Sequence, residues 1–351
     1  MLLLGLRGVG KTVLLVKIQE LAEEDGYLTA LLEAPEERRL AALIVPKLRQ
    51  LLYKLSGVEK ARILSNRALG ALRRFASVFK VSYGDFDFGV DADPGVAASG
   101  DLETDLTELF ILIATAAREA DKPVAILIDE VQYLDQQDLS ALIVALHRIG
   151  QRSLPLIVFG AGLPQLAALS GDAKSYAERL FDYPPVGALE ETAARHALRE
   201  PIRDAGAEID ESALGLIVQR TEGYPYFLQE WGAHTWRRAP RSPIRRADVT
   251  AASEEATRAL DASFFRVRFD RLTPREQDYL RAMAQLGPGP HRSGDIADVL
   301  GIAVTSAGPV RTNLIRKGMI WSPAHGETAF TVPLFHEYMK RAMPHWKPGT
   351  E

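Results

Sequence analysis

The chain has 351 residues, 47% hydrophobic and 25% charged, enough for two or three domains with cores of their own and with nothing to suggest disorder. It contains no cysteine, which excludes disulfides and cysteine-ligated zinc or iron–sulfur centres and fits a reducing cytoplasm. The formal net charge of −4 gives no global case for nucleic acid, and no apolar run is long enough to span a bilayer, so a soluble, cytoplasmic protein without a membrane role is expected.

The first predicted element is a short strand, Leu2–Leu4, followed by Gly5-Leu6-Arg7-Gly8-Val9-Gly10-Lys11-Thr12 and the apolar run Val13-Leu14-Leu15-Val16. Gly5, Gly10, Lys11 and Thr12 fill every fixed position of G-x-x-x-x-G-K-[ST], with the strand before and the helix after that the pattern needs. Each residue type has a task. Glycines let backbone N–H groups turn inward around an anion, and the helix N-terminus adds partial positive charge. Lys11, read as an exposed loop side chain, reaches the β- and γ-phosphates, and the Thr12 hydroxyl can ligate Mg²⁺. Gly8, Val9 and Val13 complete the candidate cradle for ATP or ADP. A glycine-rich turn with an incidental lysine is the plainer alternative, and the context on both sides speaks against it.

A helix over 10–25 is expected from the spacing of Val13, Leu14, Val16, Ile18 and Leu21, then a strand over 28–32. Ala34-Pro35 opens a helical stretch with Leu40, Leu43, Ile44, Leu48, Leu51, Leu52 and Leu55 at three- and four-residue spacing. A further helix covers 59–78, a hairpin 80–90, and a loop at 91–100 is expected to be mobile. Lys60 to Lys80 carries six cations and no acid, and Asp85 to Asp105 follows with seven acids. The two blocks can pair across a solvated surface, or the basic one can meet a partner. Asp101 caps a helix running to about Ala120.

Val124-Ala125-Ile126-Leu127-Ile128 is a continuous apolar run suited to a strand buried on both faces, and it ends in Asp129-Glu130. Asp129 is placed to hold Mg²⁺ through water, and Glu130 to orient and deprotonate an attacking water. An acidic strand end on the surface is the bland alternative. A helix over 136–149 and a strand over 156–159 follow, then Gly160-Ala161-Gly162. Strands alternating with helices predict an α/β fold with a parallel, doubly wound sheet.

Near Gly187 the strands stop, and helices are expected over 190–205, 211–222, 225–238 and 246–260. Thr273 starts another at Pro274, Ser293-Gly294-Asp295 one through Leu300, and Pro309 falls in the expected first turn of a third that carries Arg311, Asn313, Arg316 and Lys317. Two short strands, 319–321 and 328–332, cross His325-Gly326. Helix, turn, helix and hairpin is the order of a winged helix. The expected domains are therefore a nucleotide core at 1–187, a helical lid at 188–262 and a winged helix at 263–345.

With these residues the chain resembles an AAA+-related P-loop ATPase of the origin-recognition and STAND type. The resemblance implies Mg²⁺-dependent ATP hydrolysis, with a lid whose Gly223-Tyr224-Pro225 approaches the adenine or sugar through Gly223 and Pro225. A plain helix boundary there is the other reading. It also implies that Arg179 reaches the γ-phosphate of a neighbouring subunit in a homo-oligomer, against the alternative of a surface ion pair. Where many relatives have a polar residue at the end of the fourth strand, this chain has Gly160-Ala161-Gly162, and its lid lacks the initiators' G-D-x-R arginine. Both departures imply a slow switch rather than a processive motor. Relatives also carry an upstream helix and loop that contact the base, so either an extension before Met1 or an adenine pocket open on one side is expected.

Three functions compete: a switch ATPase, an ATP-gated binder of double-stranded DNA through Arg311, Arg316 and Lys317, and a signalling scaffold that meets a protein partner on ATP. The seven histidines, among them His147, His196 and His234, are scattered, and no zinc or serine-nucleophile pattern occurs.

Overall fold

The computed structural model, which describes residues 1–35, 38–81 and 96–348, begins with the expected alternation. Strand β1 (Leu2–Gly5) leads to α1 (Lys11–Glu24), β2 (Leu28–Glu33), α2 (Leu40–Ser56), α3 (Arg62–Val78), α4 (Leu102–Ala120) and β3 (Val124–Asp129). After β3 come α5 (Gln136–Gln151), β4 (Leu156–Gly162), α6 (Leu166–Ala173), α7 (Ala177–Leu180) and β5 (Pro185–Val186). The five strands pair in parallel in the order β2-β3-β4-β1-β5. Beyond Val81, the hairpin expected at 80–90 lies outside the described residues, as does the loop at 91–95.

Every residue of β3 is buried. Val124, Ile126 and Ile128 face a core built with α2 to α6, while Ala125 and Leu127 face the layer of α1, so the strand reads as an unbroken apolar run. Helix α1 forms where expected but buries a different face. Among its apolar residues only Leu15 is fully buried, whereas Val13, Leu14, Val16 and Leu21 are all exposed. Helix α2 begins at Leu40 rather than beside Pro35, because the buried Asp138 carboxylate of α5 accepts the Leu40 N–H at 2.9 Å and supplies its cap. Burial pushes the Asp138 carboxyl above its ordinary range. Asp101 caps α4 as expected, accepting from Thr104 N.

Contacts divide the chain into two units, Met1–Gly5 with Lys11–Val186, and Leu6–Gly10 with Gly187–Glu351. The second unit opens with α8 (Glu191–Asp204), α9 (Glu211–Thr221), α10 (Pro225–Arg238) and α11 (Arg246–Leu260). Helix α11 runs on through a π-helical stretch, Asp261–Phe265, into α12 (Arg266–Phe269), so position 262/263 falls inside one continuous helix. Next come α13 (Pro274–Leu286), β6 (His291–Arg292), α14 (Ser293–Leu300), α15 (Val304–Arg316), β7 (Ile320–Trp321), β8 (Glu327–Phe330) and α16 (Phe335–Ala342). Phe265 explains the continuity: it packs edge-on to Phe227 of α10 and Phe335 of α16 and stacks on Tyr338, tying helices on both sides of 262 into one aromatic core.

Thr273 and Glu276 form the capping box that starts α13. Helix α15 starts five residues earlier than expected, at Val304, so Pro309 sits in the helix interior rather than its first turn. The ring removes one N–H from the ladder at an exposed position, where water can satisfy the freed carbonyl. Strand β6 and helix α16 lie outside the expected elements; β6 completes an antiparallel sheet of order β6-β8-β7. Among the described residues no helix is long and apolar enough to cross a membrane.

Gly223 ends the turn after α9 at φ +69°, and a Cβ there would lie well inside van der Waals contact distance of the Leu189 carbonyl oxygen. Leu189 N in turn donates to Gly223 O at 2.9 Å. Gly223→Ala is therefore expected to destabilise the protein by about 1–3 kcal/mol, the scale of a residue forced into a disfavoured backbone region. Urea unfolding of both proteins measures it, and equal midpoints would refute the constraint.

Candidate active site

Because β4 lies between β1 and β3, the C-terminal ends of the three strands stand side by side: Gly5 on β1, Gly162 on β4 and Asp129 on β3. Ligands of open parallel sheets meet this edge. After Gly5 the loop turns through Gly8 and Gly10, at φ +86° and +91°, and hands the chain to α1 at Lys11. Lys11 is the first residue of that helix and only 5% exposed, a buried ammonium at a helix start rather than the exposed loop side chain expected.

Thr12 lies in the same first turn, and its hydroxyl donates to Asp129 Oδ2 across 117 positions of sequence. Asp129 is 6% exposed, and its Oδ1 accepts the N–H of Glu130 at 2.9 Å. Glu130 adopts φ +55°, ψ +38°, a left-handed conformation that a non-glycine residue holds only when its surroundings impose it. An alcohol and a carboxylate in contact, beside a lysine at a helix N-terminus, are the hard oxygen donors and the anion-binding group that a Mg²⁺–phosphate pair requires. The residues present thus fit Mg²⁺ and a nucleotide phosphate.

Gln132, which the sequence did not single out, completes this edge. Its Nε2 donates to Glu130 Oε2, and its Oε1 accepts the N–H of Leu163 at 3.0 Å. The only sequence signal is a glutamine two residues after Glu130 together with Gly162 at the end of the next strand, and neither means anything until β3 and β4 are known to be neighbours.

Of the remaining candidates, Val9 is buried and Val13 is 68% exposed on the outer face of α1. Gly8 belongs to the second unit and packs inside it: Tyr226 N donates to Gly8 O at 3.2 Å, and a Cβ on Gly8 would stand 3.0 Å from Tyr224 Cε1. The Gly223-Tyr224-Pro225 stretch thus reaches the loop through its tyrosine. Gly223 itself packs on Leu189, and Pro225 starts α10 and lines an apolar cavity of about 570 Å³ with Leu189, Leu198, Leu228 and Trp236. Burial raises the Tyr224 hydroxyl above its ordinary range, against the pull of Arg268 and Arg7. Arg179 is exposed in α7, with no ion pair among the described residues.

The cations of α15 are not arranged as expected. Arg311 turns inward: Nε donates to Thr328 Oγ1, and Nη2 to Ser322 Oγ and Glu327 O, each at 2.9 Å. Lys317 Nζ donates to the buried Glu276 carboxylate at 2.7 Å and to Arg271 O at 3.0 Å. Arg316 stays exposed, donating to Asn313 Oδ1.

A lysine–threonine glycine loop opposite an acidic strand end, on a parallel α/β sheet, defines a P-loop ATPase. Residues 1–159 match the family described as the AAA ATPase domain, and this part of the chain is an AAA+-related P-loop domain. Residues 262–339 match a family described as a domain of unknown function. A Methanocaldococcus jannaschii protein described as an uncharacterized HTH-type transcriptional regulator is 23% identical over 344 residues, 93% of this chain and 79% of that protein. The Walker-type ATPase PABY2304 of Pyrococcus abyssi shares the fold, with a TM-score of 0.62 at 19% identity over 97% of this chain and 90% of that one. The Aeropyrum pernix ORC1 protein in complex with DNA is more distant, with a TM-score of 0.43 at 15% identity over 97% and 86%.

Arg311→Ala is expected to lower stability by about 1.5–3 kcal/mol, the range for hydrogen bonds to a charged group, since it strips three bonds from the β7–β8 hairpin. Denaturant unfolding followed by tryptophan fluorescence, with Trp321 on β7, reads the loss; an unchanged midpoint would show the guanidinium to be dispensable.

Proposed function

We infer that the protein binds ATP with Mg²⁺ and hydrolyses it slowly, as a nucleotide-controlled switch. The observation that carries this reading is the meeting of the Thr12 hydroxyl with the Asp129 carboxylate, with Glu130 next in the chain. Thr12 and Asp129 would hold the metal, Asp129 through water, and Lys11 would set its ammonium against the β- and γ-phosphates. Bound Mg²⁺ supplies neutralisation of the phosphate charge. Glu130 orients the attacking water and accepts its proton as the water oxygen bonds to the γ-phosphorus. The bond from that phosphorus to the bridging oxygen of ADP breaks, and the proton leaves with inorganic phosphate.

The second unit reports the nucleotide state. Tyr224 and Tyr226 lie against Gly8, so a phosphate entering the loop is felt at the start of α10, in the proposed lid 188–262, and passes along the continuous helix α11–α12 to residues 263–345. The exposed Arg179 would meet the nucleotide of a second copy, as the resemblance implies.

A second reading adds double-stranded DNA. Its support is α14, the Gly301 turn and α15 followed by the β7–β8 hairpin, the order of a winged helix, and the relative described as an HTH-type regulator. The outward face of α15 carries Thr305, Pro309, Thr312, Asn313 and Arg316, groups that read base edges more than they neutralise phosphates. Arg311 and Lys317 take no part in it.

Lys11→Ala is expected to abolish or severely weaken ATP binding by calorimetry, and Glu130→Gln to leave ATP bound while slowing turnover by about 100-fold or more. ATP affinity unchanged in the first, or turnover unchanged in the second, removes that residue from the site. For DNA, duplex affinity by fluorescence anisotropy is expected to fall in an Asn313→Ala, Arg316→Ala double variant, with the salt slope changing by about one unit because a single cation is lost. Absence of duplex binding at low salt, with and without ATP, excludes the DNA reading.

A further inference from the structure

We propose that Gln132 is a positioning residue for the hydrolytic water, holding the Glu130 carboxylate from the place where a side chain at the end of β4 would otherwise stand. The proposal rests on the reading of Glu130 as the base.

The geometry is specific. The carboxamide bridges two strand ends, accepting at Oε1 from the Leu163 N–H at 3.0 Å and donating from Nε2 to Glu130 Oε2. A backbone N–H can only donate, so the Leu163 contact fixes which end of the amide is oxygen and leaves the NH₂ group facing the carboxylate. One carboxylate oxygen is thereby tied, the side chain loses rotational freedom, and Oε1 of Glu130 remains for water.

The space for this comes from Gly162. A Cβ there would lie 2.6 Å from Gln132 Oε1 and 2.9 Å from Leu166 Cδ2, so any larger residue would expel the carboxamide. Gly162 has an ordinary negative φ, and what it supplies is room rather than backbone freedom. The other glycine of the trio, Gly160, answers to the core: its Cβ would meet Leu2 Cδ2 at 2.5 Å and Val131 Cγ2 at 3.0 Å. The missing polar side chain at the end of β4 is thus compensated from the adjacent strand end. Gln132 belongs to the 3₁₀ turn Val131–Tyr133 that also fixes the left-handed Glu130, so one short segment sets both the backbone and the carboxylate of the base.

The test uses the full chain with ATP and Mg²⁺. Gln132→Glu is isosteric: one oxygen still accepts from Leu163, while the other faces Glu130 as a like charge. It is expected to lower kcat by about tenfold to a hundredfold, the scale on which partners of a functional group act, with unchanged affinity for a fluorescent ATP analogue. Like charge raises a carboxylate's pKa, so the acid limb of the kcat–pH profile should move to higher pH. A purely structural role would not move it. Independently of turnover, the Leu163 amide should exchange slowly in the parent and in Gln132→Glu, and fast in Gln132→Ala. Glu130→Gln separates the two ideas. If it turns over like the parent, the reading of Glu130 fails and takes Gln132 with it. If it is slow while Gln132→Glu keeps the parent's kcat and pH profile, or if Leu163 exchange is the same in Gln132→Ala as in the parent, the role of Gln132 alone is overturned.

Discussion

The hydrogen bond from the Thr12 hydroxyl to the Asp129 carboxylate is the constraint around which the first unit is organised. Asp129 ends β3, whereas Thr12 opens the helix that follows β1, and β4 separates those two strands. Their meeting requires that all three strands run parallel, end at the same edge and stay in register, which the pairings of Leu2 with Gly160 and of Ile128 with Gly160 accomplish. A slip of one residue would turn the apolar side chains of β3 to the opposite faces and move Asp129 from the edge. The register is therefore held by the core on both faces of the sheet, and the polar contact is its consequence.

The same logic makes small residues as important as charged ones. Gly160 lets Leu2 and Val131 close over the middle strand, and Gly162 admits the Gln132 carboxamide. At the glycine loop, Gly8 admits the ring of Tyr224, whose own hydroxyl lies buried and has no hydrogen-bond partner among the described residues. A buried hydroxyl without a partner is costly. Arg268 sits close by, its guanidinium over the Phe264 ring at 3.8 Å, while burial and the charge of Arg7 lower its pKa.

In the second unit, cationic residues serve the fold before any partner. Arg311 staples α15 to the β7–β8 hairpin, and Lys317 neutralises Glu276, whose other duty is to cap α13. A two-stranded hairpin is marginal alone, so a charged side chain that gathers three of its acceptors is well spent there. What α15 shows to solvent is then mainly hydroxyl and amide rather than charge.

The sequence by itself determined the elements whose signals are local. The glycine loop, the buried strand ending at Asp129, the caps at Asp101 and Thr273, and the helices at 225–238 and 246–260 follow from neighbours within a few residues, because caps, turn glycines and apolar periodicity act over one or two turns. Only the tertiary structure decided which face of α1 is buried, that Lys11 is enclosed, that α2 waits for Asp138 before it starts, and that α15 tolerates Pro309 inside it. It alone placed Arg311 against Thr328 and brought Gln132 beside Gly162. These outcomes depend on which strands become neighbours and which side chains meet across them. A residue type can say what bond it is able to make, but the partner that answers is chosen by packing, at separations no sequence pattern spans.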